Sequence, residues 1–127
     1  MPRDPAAILR EDRIRLMHMT ESARRAVRIA SGLTAASLEA DEVRLLAVVK
    51  SIEIIGEASI KVSEATQQRL PAIDWLGIRQ MRNRLIHGYD TIDPARVWDA
   101  LSIDVPPLID EIERALVNWP GGAPPTQ

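Results

Sequence analysis

Apolar side chains recur three and four residues apart along most of this chain, which is the spacing of amphipathic α-helices. "RDP" near the start places Asp4 as an N-cap, and Gly32 is a suitable stop, so the pattern predicts a first helix from about Pro5 to Ser31. Its apolar residues share one arc: Ile8, Leu9, Leu16, Met19, Ala23, Ala26, Val27 and Ala30. Asp12 falls inside that arc, and we attribute this to a favourable interaction with the nearby helix start or to fraying.

A second predicted helix follows the linker "LTAASLEA", begins behind Asp41 and extends to about Glu64. Its apolar and small residues cover roughly half of the helix surface. They are Leu45, Val48, Val49, Ile52, Ile55, Gly56, Ser59 and Ile60. Such a wide arc predicts a helix that is central in the fold or faces a second subunit. Gly56 costs about 1 kcal/mol relative to alanine in a helix interior, so we expect a neighbouring helix to approach its backbone closely.

The third predicted helix is shorter than the first two. Pro71 ends the preceding pattern, Asp74 can cap the new helix, and Gly88 can end it.

The fourth predicted helix begins at a second "DP" signal, with Pro94 at its first position. Its apolar residues keep one helical phase through Pro106 and Pro107, so we expect one helix that is kinked near Pro106. These residues are Trp98, Leu101, Val105, Leu108, Ile109, Ile112, Leu116 and Trp119. No strand pattern, internal repeat or glycine-rich phosphate loop is present. The sequence therefore predicts an all-α fold, an antiparallel up-and-down four-helix bundle, with one domain over residues 1–119 and a disordered tail over residues 120–127.

Composition narrows the possible functions. The chain has 127 residues, no cysteine and two histidines, which excludes disulfides, thiolate nucleophiles and cysteine-based zinc sites, and we expect neither a metal nor a cofactor. A net charge of -2 argues against a general binder of polyanions.

The sequence also indicates where the protein is located. Charges interrupt the first sixteen residues, where a signal peptide needs an apolar block, and no apolar run is long enough to span a membrane. We expect a cytoplasmic protein without membrane contact.

The stretch "MRNRLIHGYD" at the end of the third predicted helix is the one polar cluster of interest. On a helical wheel of this third predicted helix, Arg79, Arg82, Asn83 and His87 lie on one side, and the apolar residues of the same helix lie on the opposite side. With Arg84, the arginines give a local charge of +3, and no acidic residue lies between Asp74 and Asp90. This composition predicts an anion site.

Two interpretations of the cluster stay open from spacing alone. A histidine at a helix end can serve as a general base, while an arginine holds a phosphate and stabilises charge on its oxygens. RNA supplies its own nucleophile, the ribose 2'-hydroxyl, so His87 and Arg82 could cleave it without metal, with Asn83 orienting the imidazole or the phosphate. In the other interpretation, Arg82 and Asn83 pair within the bundle and His87 only ends the helix.

The same residues carry a family resemblance. "RNRLIH" followed by "GY" resembles the Arg-x4-His-x-Tyr signature of HepT-like toxins, which belong to the HEPN superfamily of helical nucleases. The segments "IEIIGEAS", "LPAIDWLGIRQMRN" and "YDTIDPARVWDAL" are similar to the family in order and spacing, so that the resemblance covers most of Asp41 to Leu116.

The resemblance implies a HEPN-like bundle and a metal-independent endoribonuclease toxin. Arg82 and His87 match the catalytic arginine and histidine, and Asn83 matches the polar residue after that arginine. Tyr89 matches the tyrosine that a partner nucleotidyltransferase, the MntA-like antitoxin, modifies with AMP. Members of the family are homodimers whose two motifs face one cleft, and assembly beyond the dimer is left open.

Two further hypotheses are kept beside the nuclease. The overall acidity favours either a structured substrate such as tRNA, with Arg79 and Arg84 binding its phosphates, or a protein that binds without cutting. The second hypothesis is therefore a dimeric nucleotide- or partner-binding module that associates with a nucleotidyltransferase. The third is a purely structural bundle, which poorly explains why so many polar groups share one face.

Overall fold

The computed structural model describes residues 3–87 and 91–120, with His87 through its backbone, and most of them are helical. The helices are α1 (Pro5–Ile29), α2 (Ala35–Glu39), α3 (Glu42–Ile60), α4 (Glu64–Arg69), α5 (Trp75–Leu85), α6 (Pro94–Asp99) and α7 (Val105–Val117). A π-helical turn, Ala100–Asp104, joins α6 to α7, and two short strands, β1 (Ile86–His87) and β2 (Thr91–Ile92), lie between α5 and α6. The predicted all-α class is confirmed.

Aspartates begin α1, α3, α5 and α6 at the positions that the sequence predicts. In each case the carboxylate satisfies a backbone N–H group that the first helical turn leaves without a partner. Asp4 accepts from the Ala6 N–H, Asp41 from Arg44, Asp74 from Gly77 and Asp93 from Arg96. Proline follows as the first helical residue in α1 and α6.

The structure differs from the prediction in the connections. The linker after α1 contains the short helix α2, whose Thr34 and Ser37 satisfy each other's backbone N–H groups in a capping box. The second predicted helix ends at Ile60 rather than about Glu64, because Ser63 caps a new helix, α4. The third ends at Leu85, before the predicted stop at Gly88, because the β-branched Ile86 is extended and pairs with β2. Gly88 lies outside the described residues.

The fourth predicted helix continues through Pro106 and Pro107, as the unbroken helical spacing of its apolar residues predicts. The irregularity expected near Pro106 takes the form of the π-helical turn, which directly precedes α7. At its end the Val105 N–H donates to the Ala100 carbonyl, five residues back. This wider turn lets Pro106 and Pro107 occupy the start of α7, where a missing N–H group costs least.

Helix α3 packs against both α1 and α5, and α1 also packs against α7. The helices α1 and α3 run antiparallel. Ala26, near the end of α1, lies in the same apolar cluster as Val48, near the start of α3, whereas Met19 and Ile55 lie together in a second cluster. Of the two alternatives predicted for α3, the contacts with α1 and α5 support a central position, and a contact with a second subunit stays a prediction. Two residues assigned to the apolar arcs are nevertheless exposed, Val27 by 42% and Ile60 by 61%.

Asp12 is buried, with 2% of its surface exposed, and it makes long-range hydrogen bonds. Its carboxylate accepts from the Ser63 N–H at 2.9 Å, the Ser63 hydroxyl at 2.6 Å and the Thr66 hydroxyl at 2.6 Å. The interpretation of Asp12 as a local dipole effect or a frayed residue is therefore wrong. Asp12 ties α1 to the first turn of α4.

The C-terminal end of α7 is fixed to α1 by Trp119. Its buried indole N–H donates to the Leu9 carbonyl at 3.0 Å. The predicted disordered tail lies outside the described residues from 121 onward, and the single domain over residues 1–119 stays a prediction. No helix in residues 3–87 and 91–120 is long and apolar enough to cross a bilayer.

Candidate functional site

Helix α5 displays the polar cluster because its apolar residues face the core. Trp75, Ile78, Met81 and Leu85 are buried, spaced so that they line one side of the helix. The Trp75 indole N–H also donates to the Leu70 carbonyl at 3.1 Å, which fixes the start of α5 against the preceding turn. Arg79, Arg82 and Asn83 are consequently exposed on the outer side, as the helical wheel predicts.

Arg82 lies on the side of α5 that contacts α3. A Cβ atom placed on Gly56 would be 3.8 Å from the Ile78 carbonyl oxygen and 4.0 Å from the Arg82 Cβ. The expected approach of a neighbouring helix to Gly56 is thus confirmed, and the neighbour is α5. The base of the Arg82 side chain rests beside α3 while the residue itself is exposed to solvent.

Arg84 lies on the opposite flank of α5. Two residues along an α-helix correspond to a rotation of about 200°, which separates Arg84 from Arg82. The Arg84 Nη2 donates to the Gly77 carbonyl at 3.4 Å, and its side chain lines a cavity beside α7 with Ile103 and Glu111. The three arginines therefore do not form one continuous surface.

The backbone of His87 belongs to β1, which directly follows α5 and pairs with β2 in the antiparallel direction. Ile86 pairs with Ile92 and His87 with Thr91, and the Asp93 N–H donates to the Leu85 carbonyl at 2.8 Å. His87 therefore follows the exposed turn that carries Arg82 and Asn83 by only four to five residues. Gly88, Tyr89 and Asp90 lie outside the described residues, so the roles assigned to His87 and Tyr89 stay predictions.

Another group of polar side chains, which the helical patterns do not reveal, meets between α1 and α3. Arg15, His18, Glu57 and Lys61 line a shallow cavity of about 160 Å³ together with Ile54 and Ala58. Residues of two helices that are far apart in sequence form this cavity, so only the packing of α1 on α3 brings them together. His18 is exposed. Within residues 3–87 and 91–120 no three acidic or histidine side chains are placed to hold a metal ion.

Comparison with known proteins identifies the family. A family model described as "Ribonuclease HepT-like" matches residues 19–115, which span the polar cluster and all helices from the middle of α1 to α7. The chain belongs to the HepT-like ribonuclease family.

Curated relatives of this HepT-like chain carry ribonuclease names. "Putative RNase MJ0127" of Methanocaldococcus jannaschii is 36% identical over 59% of this chain and 62% of its own length. "Probable ribonuclease HepT" of Thermococcus cleftensis is 34% identical over 58% of this chain and 67% of its own length. "Putative RNase TTE0752" of Caldanaerobacter subterraneus is 26% identical over 80% of this chain and 90% of its own length. The chain thus spans about three fifths to two thirds of the first two relatives, and no solved structure matches it.

Proposed function

We propose that this HepT-like chain is a metal-independent endoribonuclease toxin of a toxin–antitoxin pair, with Arg82 and His87 as its catalytic residues. The observation that carries the proposal is the exposure of Arg79, Arg82 and Asn83 on the outer side of α5, directly before His87. Guanidinium groups on such a surface can hold phosphates bidentately. The family match over this segment supports RNA as the source of those phosphates.

The cleavage step uses the 2'-hydroxyl of the substrate as nucleophile. The His87 imidazole accepts the hydroxyl proton while the 2'-oxygen attacks the adjacent phosphorus, and the bond from phosphorus to the 5'-oxygen breaks. Arg82 stabilises the negative charge that grows on the phosphate oxygens, and Asn83 donates to the phosphate or orients the imidazole. The departing 5'-oxygen takes a proton from a second acid or from water. The products are a 2',3'-cyclic phosphate and a 5'-hydroxyl end.

We further propose that the working unit is a homodimer formed through the outer face of α3, with higher assemblies left open. Val43, Leu46 and Ile60 are exposed on this helix and share its outer face with the charged side chains of Lys50 and Glu57, so a contact there would combine apolar packing with ion pairs. Arg82 rests beside the same helix at Gly56. A contact through α3 would therefore bring the Arg82 residues of two copies towards one cleft.

The proposed regulator is an MntA-like nucleotidyltransferase antitoxin that transfers AMP to the Tyr89 hydroxyl. The transfer joins the tyrosine oxygen to the α-phosphorus of ATP and releases pyrophosphate. The added phosphodiester carries the same sign of charge as RNA, so it would compete for the cationic surface and repel the substrate.

The substrate in this proposal is a structured cytoplasmic RNA, with tRNA as the first candidate. The chain is acidic overall, so its long-range attraction for RNA is weak and recognition must depend on local contacts. Arg79 lies close to Arg82 and Asn83 on the outer side of α5 and would bind a phosphate there. The predicted phosphate contact of Arg84 would need RNA to reach the other flank of the helix.

A cleavage assay with purified protein tests the ribonuclease. Wild-type protein, His87→Ala, Arg82→Ala and the surface control Arg28→Ala are incubated with total tRNA in excess EDTA. We expect wild type and Arg28→Ala to cut, and the other two variants to lose cleavage. A substrate with a single 2'-deoxy nucleotide at the cut site should resist cleavage, because its nucleophile is missing. If His87→Ala or Arg82→Ala cuts like wild type, the catalytic assignment is wrong.

Intact mass tests the regulation. The protein is weighed before and after incubation with ATP, magnesium and the nucleotidyltransferase, and both samples are assayed for cleavage. An AMP-sized gain that is absent in Tyr89→Phe and accompanies loss of cleavage is the expected result. Wild-type protein that binds nucleotide but cuts no RNA would instead favour the binding-module hypothesis.

A further inference from the structure

The bundle is open along one seam, between α5 and the π-helical turn that leads into α7. A cavity of about 220 Å³ occupies this seam, and a second of about 90 Å³ continues it towards α6. The two cavities share Met81, Arg84 and Asp104, so they form one groove along α5. We call it the α5–α7 groove.

The floor of the α5–α7 groove is apolar. Ile78, Met81 and Leu108 line it with atoms that the core does not cover completely, and Pro107 adds to the same surface. Ile103 stands at its edge with 63% of its surface exposed, although it is a large aliphatic side chain. Ile103 thus extends the apolar floor of the groove to the protein surface.

The rim of the groove is mostly acidic. Four carboxylates line it, from Asp74, Asp99, Asp104 and Glu111, together with the two guanidinium groups of Arg84 and Arg96. Glu111 is paired with Arg114 at 2.8 Å, and Asp74 accepts the Gly77 N–H, so Asp99 and Asp104 carry the acidic character of the rim. Arg96 already pairs with Asp93 at 3.7 Å. Asp99 and Asp104 occupy helix-cap positions without making a capping hydrogen bond, so their carboxylates are available to an incoming cation.

We propose that the α5–α7 groove binds a short segment of a partner protein that carries one large apolar side chain flanked by lysine or arginine. The apolar side chain enters the larger cavity, whose 220 Å³ is below the roughly 300 Å³ at which small-molecule sites begin. The flanking cations meet Asp99 and Asp104. RNA is a poor occupant, because the rim carboxylates repel phosphate.

The length of the groove sets the length of the segment. The groove follows the eleven residues of α5, which rise about 1.5 Å each and give roughly 17 Å. An extended chain of about five residues at 3.3 Å each covers that distance. A single anchor between two or three cationic positions therefore fills the groove.

This inference goes beyond the proposed ribonuclease and does not depend on it. The groove lies on the Arg84 flank of α5, whereas Arg82 lies on the α3 flank. A partner in the groove would leave the proposed RNA surface uncovered while contacting the same helix.

The test uses the whole chain and a displayed library of short peptides with a central Leu, Phe or Trp among random Lys, Arg, Ala and Ser. Selected peptides are resynthesised with a fluorescent label, and their affinity is measured by anisotropy. The same peptides with Glu replacing each cation serve as the charge control. Ile103→Lys removes apolar surface and adds repulsion at an exposed position, and Val117→Lys makes the same change on the exposed end of α7, away from the groove.

We expect selected peptides to bind wild type and Val117→Lys equally, and Ile103→Lys at least about tenfold more weakly. The glutamate versions should lose binding by a similar factor. Methyl NMR shifts should concentrate at Ile78, Ile103 and Leu108. A library without binders, equal binding by Ile103→Lys, or equal binding of the glutamate versions would overturn the proposal. A wild-type dimer that Ile103→Lys dissociates would also overturn it, since a second copy would then occupy the groove.

Discussion

Asp12 and Ser63 are 51 positions apart in sequence, yet the carboxylate of the first accepts both the backbone N–H and the hydroxyl of the second. This pairing holds the start of α4 against α1 and leaves the Asp12 charge buried. A buried carboxylate is tolerable only when hydrogen bonds replace its water, and here three donors do so.

Asp12→Ala should destabilise the protein by about 2–4 kcal/mol, because it leaves the buried Thr66 hydroxyl and the half-buried donors of Ser63 without an acceptor. Urea unfolding followed by circular dichroism measures the change. Asp110→Asn, at an exposed position of α7, is the control and should stay within about 0.5 kcal/mol of wild type. A loss at Asp12 no larger than that of the control would show that these hydrogen bonds contribute little.

Gly56→Ala should stabilise the protein by up to about 1 kcal/mol, since alanine favours the helix and its Cβ meets the Ile78 carbonyl oxygen at an ordinary 3.8 Å. Gly56→Leu should destabilise by about 1–3 kcal/mol, because its further atoms have to displace α5. Thermal unfolding of both variants measures the difference. Destabilisation by alanine as large as by leucine would mean that α5 lies closer to α3 than the structure shows.

Arg82→Ala should lower kcat/KM for RNA cleavage by about a hundredfold or more, as expected for a group that stabilises charge in the transition state. Arg82→Lys should recover little of it, because an ammonium group cannot hold a phosphate bidentately. Arg79→Ala should act mainly on KM. Since both arginines are exposed, melting temperatures should not change, and steady-state kinetics at matched ionic strength separate the two roles. Full recovery with lysine would contradict a bidentate contact.

Leu46→Glu and Ile60→Glu should weaken the proposed dimer, because each replaces an exposed apolar side chain on the outer face of α3 by a carboxylate that must be desolvated on association. Sedimentation velocity over a range of concentrations measures the association, and Val117→Glu on α7 is the matched control for an exposed aliphatic residue. Cleavage should fall together with dimerisation. If wild-type protein is monomeric at every concentration, the cleft between two subunits cannot form, and the dimer part of the proposal is wrong.

The helix starts were predictable because they depend on local chemistry. An aspartate in front of a proline or a short apolar run favours a helix start through contacts within one turn, and Asp4, Asp74 and Asp93 behave accordingly. The outer side of α5 was predictable for a similar reason, since helical periodicity alone exposes Arg79 and Arg82.

The structural features that could not be predicted from the sequence depend on contacts between distant segments. Nothing near Asp12 indicates that Ser63 and Thr66 will meet it, so a local interpretation was wrong. The early end of α5 at Leu85 likewise depends on Ile92, which returns to pair with Ile86. Periodicity also gave no sign that the seam beside Arg84 stays open, because Ile78 and Leu108 look like ordinary core residues.

The hydrogen bond between the Asp93 N–H and the Leu85 carbonyl closes the segment from residue 86 to 92 at its base. Buried Leu85 on one side and buried Val97 on the other anchor α5 and α6 independently of that segment. The entropic cost of closing a loop rises by only about 0.6 kcal/mol for each doubling of its length, so a segment this short costs little to close. A substitution in the bundle that moves α5 relative to α6 would therefore also move the backbone of His87, and the proposed site would be sensitive to changes in the core far from it.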